Sequence, residues 1–289
     1  MADVVVTGSG GDLGRWVVGS LVRAGWRVRC LDHEHPAEDT PPGVTAVETD
    51  LTDAGETLEA VLAVDPEAVV HLAAVGPQYY APSRVYENNT LAAYHVLTAA
   101  GEAGADVVWT SSESVYGWVF AEEQVFPDAL PVSVDHACRP EDQYGVSKAA
   151  AEATAESVAR RYDVPVTTIR PSWIQHPGAY ECTDADGEDV VDNFWSYVDV
   201  RDVVRLVRAA LESPPDGEET VHAAAAENYV GRPTRELFEE AFGSVPTPCD
   251  LAGTESALST ANAGAAYGWE PEYSYHEAAT DDVGPWDEW

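Results

Sequence analysis

Basic residues are scarce in this 289-residue chain, which has 15 Lys and Arg against 51 Asp and Glu and a formal net charge of −36. Such a surface repels phosphate, and this excludes most nucleic-acid-binding proteins and most proteins that bind anionic membranes. Lysine is almost missing, because 14 of the 15 bases are arginine and only Lys148 is a lysine. This composition is typical of halophilic proteins, since molar salt shortens the Debye length to about 3 Å and screens the self-repulsion.

Long apolar runs and paired cysteines are also missing. The sequence contains no run of ~18 apolar residues, the length that would span a bilayer. No basic region precedes the apolar run in the N-terminal MADVVVTG. His33 and His35 have no third ligand nearby in the sequence, so we interpret them as loop residues and expect no metal site. The cysteines form no CxxC pair and are widely spaced, at Cys30, Cys138, Cys182 and Cys249. We therefore expect a soluble cytoplasmic protein with free thiols.

Short β-branched runs alternate with longer amphipathic segments over the first 170 residues. The predicted strands are 4–7, 27–31, 45–48, 68–72, 107–111 and 166–170, and the predicted helices are 13–24, 55–63, 84–103 and 142–162. This alternation is typical of an α/β protein with a Rossmann-type, doubly wound parallel sheet. The ligand site of such a sheet lies beyond the carboxyl ends of its strands.

The alternation ends after residue 171, and this predicts a second, smaller unit. We expect a dinucleotide-binding domain over 1–171, to which 194–223 returns with a helix at 200–211 and a strand-like ETVHA. The segments 172–193 and 224–289 would form a small, irregular substrate-binding cap with an acidic tail. Further helices are predicted at 234–242 and 255–266.

A glycine-rich turn joins the first predicted strand to the first helix, in the pattern GxxGxxG at Gly8, Gly11 and Gly14. Glycines let the backbone turn tightly, approach a pyrophosphate and pack the helix on the strand. The helix N-terminus that follows, with Asp12 and Leu13, presents free N–H groups to phosphate. The turn is therefore a candidate cofactor-binding loop.

The predicted cofactor site continues at the ends of the next strands. Asp32 ends the second strand, where a carboxylate can accept both ribose hydroxyls and would repel a 2′-phosphate, so NAD is favoured over the alternative, NADP. The third and fourth strands end in residues that we expect to contact the adenine and to let the cofactor pass: Asp50, Leu51, Leu72, Ala73 and Ala74.

Tyr144 and Lys148 stand four residues apart at the start of a predicted helix, on one face. An ammonium beside a phenol lowers the phenol pKa, and this would make Tyr144 a general base for a substrate hydroxyl. Ser112 follows the fifth strand and could hydrogen-bond the same substrate oxygen. The only lysine of the chain therefore falls where a compact donor is needed and a planar guanidinium would not serve.

The motifs TGxxGxxG, HLAA, SSxxVYG and YGxSK occur here in that order, and with the strand-end Asp they resemble the extended short-chain dehydrogenase/reductase family, which includes nucleotide-sugar epimerases and dehydratases. The resemblance is strong over about residues 2–212 and includes haloarchaeal sugar dehydrogenases. It implies a catalytic triad of Ser112, Tyr144 and Lys148, and cofactor contacts from Asn89 and Pro171. It also implies homodimer formation through the helices 84–103 and 142–162, although their alanine-rich faces would equally fit against the sheet.

Departures from the family motifs indicate to which branch of the family this chain is similar. The dehydratases carry an Asp-Glu pair where this chain has Glu113 and Ser114, and many 4-epimerases carry an asparagine near the position of Trp173. We therefore expect an NAD(P)-dependent dehydrogenase that oxidises a monosaccharide, such as a pentose, a uronate or a sugar phosphate, at C1 to a lactone. The alternatives are a nucleotide-sugar 4-epimerase with tightly bound NAD and a non-catalytic dinucleotide sensor. The expected substrate contacts are Ser112, Glu113, Tyr144, Trp173, Gln175 and His176.

Overall fold

A seven-stranded parallel sheet is the centre of the computed structural model, which describes residues 3–33, 42–123, 125–183 and 192–288. The strands in chain order are β1 Asp3–Thr7, β2 Arg27–Asp32, β3 Val44–Glu48, β4 Ala68–His71, β5 Asp106–Thr110, β6 Val166–Pro171, β7 Trp173–Gln175, β8 Tyr197–Asp199 and β9 Glu218–Ala223. The sheet order is β3-β2-β1-β4-β5-β6-β9, while β7 and β8 pair separately. The predicted Rossmann-type fold is confirmed, because the order reverses at β1.

Helices cover both faces of this sheet, and this explains why its central strands are continuous apolar runs such as Val4–Val6. In chain order they are α1 Asp12–Arg23, α2 Ala54–Leu62, α3 Pro82–Ala103, α4 Gln143–Tyr162, α5 Val200–Glu212, α6 Thr234–Phe242, α7 Ala261–Tyr267 and α8 Tyr275–Ala278. One core contains side chains of α1 and α5, and the other contains those of α2, α3 and α4.

The alanine-rich faces of α3 and α4 lie in the protein core. Ala92 and Ala93 of α3 and Ala151 and Ala155 of α4 are all buried in the cluster that packs on the sheet. These alanines therefore serve packing within the chain, and the homodimer stays a prediction.

A third hydrophobic cluster lies outside these two cores and is rich in aromatic side chains such as Trp118, Phe194 and Phe238. Helix α5 and strand β9 belong instead to the main core and sheet, while Phe194, Trp195 and Tyr197 lie in the third cluster. The division into a dinucleotide-binding domain and a cap itself stays a prediction.

One predicted helix is too long at its start. Helix α7 begins at Ala261 rather than at residue 255. The residues before it run extended, since Val132 donates its N–H to Ala257 O and Ser259 N donates to Val132 O. Pairing with a distant segment thus replaces the local helical hydrogen bonds. Within the described ranges, no helix is long and apolar enough to cross a membrane.

Candidate active site

The turn between β1 and α1 is packed so closely that only glycine fits at two of its positions. Gly8 has φ +68°, and a Cβ there would lie 2.6 Å from Ala73 N at the end of β4. A Cβ on Gly14 would lie 2.1 Å from the carbonyl oxygen of Gly8. Helix α1 starts after Gly11 with no side-chain cap, so its first N–H groups remain available to an anion.

Asp32 is held rigidly at the end of β2 beside this turn. Its Oδ2 accepts a hydrogen bond from Gly10 N at 3.0 Å, and its Oδ1 accepts one from His33 N at 2.8 Å. The glycine turn therefore fixes the orientation of this carboxylate, and its contact with a ribose stays a prediction. His33 is exposed, with Nδ1 3.1 Å from Asp32 Oδ1, and His35 lies outside the described residues.

A groove of about 1120 Å³ runs along the carboxyl ends of β1 to β4. Its volume suits a dinucleotide, since pockets for drug-sized ligands measure roughly 300–1,000 Å³, and the glycine turn at its floor lets a phosphate approach the backbone. The predicted cofactor residues that line it are Gly8, Gly11, Asp32, Asp50, Leu51, Leu72, Ala73 and Ala74. Asp12, Leu13 and Gly14 adjoin it in the first turn of α1.

One wall of the groove was missed by the sequence reasoning. Helix α3 lines it with residues at intervals of three, one, three and one: Arg84, Glu87, Asn88, Leu91 and Ala92. This helical spacing was visible in the sequence. It became informative only once the topology placed α3 beside the groove.

Asn89, which the family resemblance assigned to the cofactor, is buried behind this wall. Its amide accepts from Val75 N at 2.8 Å and donates to Val75 O at 3.1 Å and to Ser147 Oγ at 3.3 Å. Asn89 therefore joins the loop after β4 to α4. Its direct contact with a cofactor stays a prediction.

The predicted catalytic residues meet at the end of β5. Asp142 caps α4 by accepting from Tyr144 N at 2.8 Å, and this sets the first turn of the helix. Lys148 Nζ donates to Thr110 O at 2.7 Å and lies 5.6 Å from the centre of the Tyr144 ring. Ser112 lies close enough to the Tyr144 phenol to lower its pKa, and its own Oγ hydrogen-bonds the hydroxyl and the backbone N–H of Ser114. The geometry can therefore support proton transfer at one substrate oxygen.

The sequence led us to expect that Lys148 lowers the pKa of Tyr144, but in the structure that pKa is raised. Burial raises the pKa of Tyr144 to about 12, although the hydrogen bond of Ser112 acts in the opposite direction. Burial also lowers the pKa of Lys148 to about 8, while Glu152 raises it. Removal from water disfavours both charged forms, so the protein groups by themselves favour the neutral phenol.

A buried ion pair one turn beyond the lysine was also missed. Arg170 of β6 donates from Nε and Nη2 to the two carboxylate oxygens of Glu152, each at 2.8 Å. Glu152 also accepts from Ser111 Oγ at 2.6 Å, and Arg170 Nη1 donates to Tyr116 OH at 2.7 Å. These contacts connect α4 to the segment that carries Ser112. The spacing of Glu152 four residues after Lys148 was the only sequence signal for them.

Glu113 lies next to Ser112, and its pKa is the most strongly shifted among the carboxyl groups near the triad. It is 4% exposed, and its Oε1 accepts from Ser172 Oγ at 2.9 Å. Its Oε2 has no hydrogen-bond partner among the described residues. Burial raises the pKa of Glu113 to about 8, so the side chain is a neutral acid at pH 7.

The other predicted substrate residues are divided between the cap and the sheet. Trp173 contacts Tyr229 edge to face, with ring centres 6.1 Å apart, inside the aromatic cluster. Gln175 is occupied by the backbone, since its Oε1 accepts from Cys182 N at 3.0 Å. His176 packs against Trp16 of α1 at 6.5 Å, and burial lowers its pKa. The substrate roles of all three stay predictions.

Pro171, the remaining predicted cofactor residue, is the last residue of β6. It is buried and pairs with Ala223 of β9. This places it between the main sheet and the segment that leads into the cap. Its contact with a cofactor stays a prediction.

Comparisons with known proteins agree with this geometry. A sequence model of the NAD dependent epimerase/dehydratase family matches residues 4–191. L-arabinose 1-dehydrogenase (NAD(P)(+)) of Haloferax volcanii is 31% identical over 230 residues, which cover 78% of this chain and 82% of that protein. Uronate dehydrogenase of Pseudomonas putida is 26% identical over 262 residues, 85% and 89% of the two chains. The crystal structure of UDP-glucose 4-epimerase from Thermotoga maritima matches with a TM-score of 0.74 and 23% identity, over 96% of each chain.

These findings confirm an NAD-dependent sugar oxidoreductase of the short-chain dehydrogenase/reductase type, and the Haloferax relative agrees with the halophilic composition. The chain is thus a member of the NAD dependent epimerase/dehydratase family.

Proposed function

We propose that the protein is an NAD(P)-dependent dehydrogenase that oxidises a monosaccharide at C1 to a lactone, with an aldose such as a pentose as the preferred substrate and a uronate or a sugar phosphate as alternatives. One observation carries the proposal: the phenol of Tyr144 lies beside Ser112 and Lys148, and Lys148 is bonded to Thr110 O at the carboxyl end of β5. The relatives that act on arabinose and uronate support this substrate class.

The mechanism follows from the positions of these side chains. Bound NAD would supply the hydride acceptor, and its positive charge would favour the phenolate form of Tyr144. Tyr144 removes the hydroxyl proton, and the electrons of that O–H bond form the carbonyl as the C–H electrons leave with the hydride. Ser112 donates a hydrogen bond to the reacting oxygen. Lys148, fixed by Thr110 O, holds positive charge beside Tyr144.

A free sugar fits the charge distribution better than a nucleotide sugar. The arginines of α5 that could have bound a diphosphate are each paired with carboxylates: Arg201 contacts Asp199, Arg205 contacts Asp202, and Arg208 contacts Glu212. Paired guanidinium groups offer few donors to a second anion. Trp173, which is half-buried, instead offers aromatic surface that suits the apolar face of a sugar ring.

The second candidate is a nucleotide-sugar 4-epimerase, favoured by the fold likeness to UDP-glucose 4-epimerase. The two activities differ in their net products. A dehydrogenase accumulates NADH, whereas an epimerase returns the hydride within each turnover. We would therefore screen pentoses, hexoses, uronates and sugar phosphates for NADH formation in molar KCl. Interconversion of a UDP-sugar with no NADH from any free sugar would replace the proposal by the epimerase.

Tyr144→Phe tests the assigned base. Removal of the hydroxyl should lower kcat at least 100-fold, in line with general-base catalysis, while NADH still binds. Tyr162→Phe is the matched control, because Tyr162 ends the same helix and its hydroxyl contacts only Glu102 among the described residues. Retention of full activity by Tyr144→Phe would remove this residue from the mechanism.

A further inference from the structure

The wall of the cofactor groove formed by the α3 region carries one base, Arg84, and one acid, Glu87. The opposite wall is acidic, with Asp32, Glu48, Asp50 and Glu56 among its lining residues. Arg84 is the only Lys or Arg among the residues that line the groove in the described part of the chain. A dinucleotide carries two negative phosphates, and carboxylates alone would repel them.

Arg84 also differs from most arginines of this acidic protein in having no carboxylate partner among the described residues. Arg170, Arg201 and Arg232, for example, each contact an Asp or Glu at 2.9 Å or less. The Arg84 guanidinium instead lies 4.6 Å from the centre of the Tyr80 ring, within the groove. Stacking on an aromatic face orients the planar group and leaves its N–H edge free for an anion.

We propose that Arg84, oriented by Tyr80, binds the diphosphate of the dinucleotide from the side opposite the α1 N-terminus. This inference shares with the proposed function only the assumption that the cofactor is a dinucleotide, and it rests on the proposed function to that extent. The sheet order supports the diphosphate over a 2′-phosphate: Asp32 lies on the β2 side of the glycine turn, and the loop that leads to α3 leaves β4 on the other side. A 2′-phosphate beside Asp32 would be repelled, whereas the diphosphate over Gly8 lies between the two walls.

High salt makes a direct contact necessary. With a Debye length of about 3 Å in molar salt, distant charges do not attract a phosphate. A guanidinium within hydrogen-bond distance keeps its strength, because the contact excludes counterions and is bidentate. One such arginine would therefore compensate for the acidic wall, which the rest of the surface cannot do.

The test measures binding of NADH, NADPH, ADP and adenosine to the full-length protein in molar KCl by calorimetry and fluorescence. Arg84→Ala should weaken NADH and ADP about tenfold, the loss of one partly exposed charge-assisted contact, and leave adenosine unchanged. Arg161→Ala is the matched control, because Arg161 is also exposed and stacks on a tyrosine, Tyr162, at 4.8 Å. It should change none of the affinities.

Three other outcomes would overturn the assignment of Arg84 to the diphosphate. Weaker NADPH binding with unchanged NADH would place Arg84 on the 2′-phosphate. Equal losses for ADP and adenosine would show a contact with the nucleoside. Unchanged affinities, or a wild-type protein that binds neither NADH nor ADP, would leave no diphosphate site. Wild-type protein that binds NADH and ADP through Arg84 but oxidises no sugar would refute the proposed reaction and not this contact.

Discussion

Glu113→Gln tests whether a buried carboxyl group beside the triad is neutral in the folded protein. Glu113 is 4% exposed, and burial raises its pKa from 4.5 to about 8. Between these values the folded state holds a proton that the unfolded state has released. The contribution of Glu113 to the free energy of unfolding is therefore fully present below pH 4.5 and is lost as the pH rises through about 8. In this window Glu113 makes the free energy of unfolding fall as the pH rises.

In the upper part of the window the histidines no longer act, and Lys148, with a pKa of about 8, begins to lose its proton only at the upper end. Burial lowers the pKa of His71 to about 3 and that of His222 to about 4, from 6.5, so these histidines raise stability with pH only below about 6.5. From pH 6.5 to 8 the Glu113 contribution remains. At about 1.4 kcal/mol for each pH unit, the loss is about 2 kcal/mol.

The assay is urea unfolding in molar KCl at pH 6.5 and pH 8. Gln keeps the size of the side chain and a hydrogen bond with Ser172 but does not titrate, so the variant should lack the decline of about 2 kcal/mol seen in the wild type. Glu59→Gln, at an exposed position of α2, is the control and should behave as wild type. If wild type and variant differ in their free energy of unfolding by the same amount at pH 6.5 and pH 8, the conclusion that Glu113 is neutral is refuted.

Three further predictions concern the turn, the ion pair and the surface charge. Gly14→Ala places a Cβ 2.1 Å from Gly8 O and should abolish NADH binding at saturating concentrations, whereas Gly55→Ala, 3.4 Å from its nearest neighbour, should bind normally. Arg170→Met should lower the free energy of unfolding by about 3–5 kcal/mol because it leaves the buried Glu152 carboxylate unpaired, and added Glu152→Leu should recover most of that loss in the same denaturation assay. With a net charge of −36, the melting temperature should fall when molar salt is removed; an unchanged value by calorimetry would contradict halophilic stabilisation.

The local features were predictable because local rules control them. Runs such as Val4–Val6 had to become buried strands, and the glycines at 8 and 14 marked a turn that no larger residue can form. The predicted bounds of the first six strands agree with the structure within one residue at each end. The exception was the helix expected from 255, where hydrogen bonds to residues near Val132 replaced the helical ones. Local pattern cannot foresee such a distant partner.

By itself, the sequence determined the acidic character, the alternation of strands and helices, and the spacing that places Tyr144 and Lys148 on one helical face. Only the tertiary structure decided which charges stand together. It buried Glu113 among partners from a distant strand, paired Arg170 with Glu152, and left Arg84 as the base in an otherwise acidic groove. The physical reason is that periodicity depends on near neighbours, whereas desolvation and charge pairing depend on whatever the fold brings within a few ångströms.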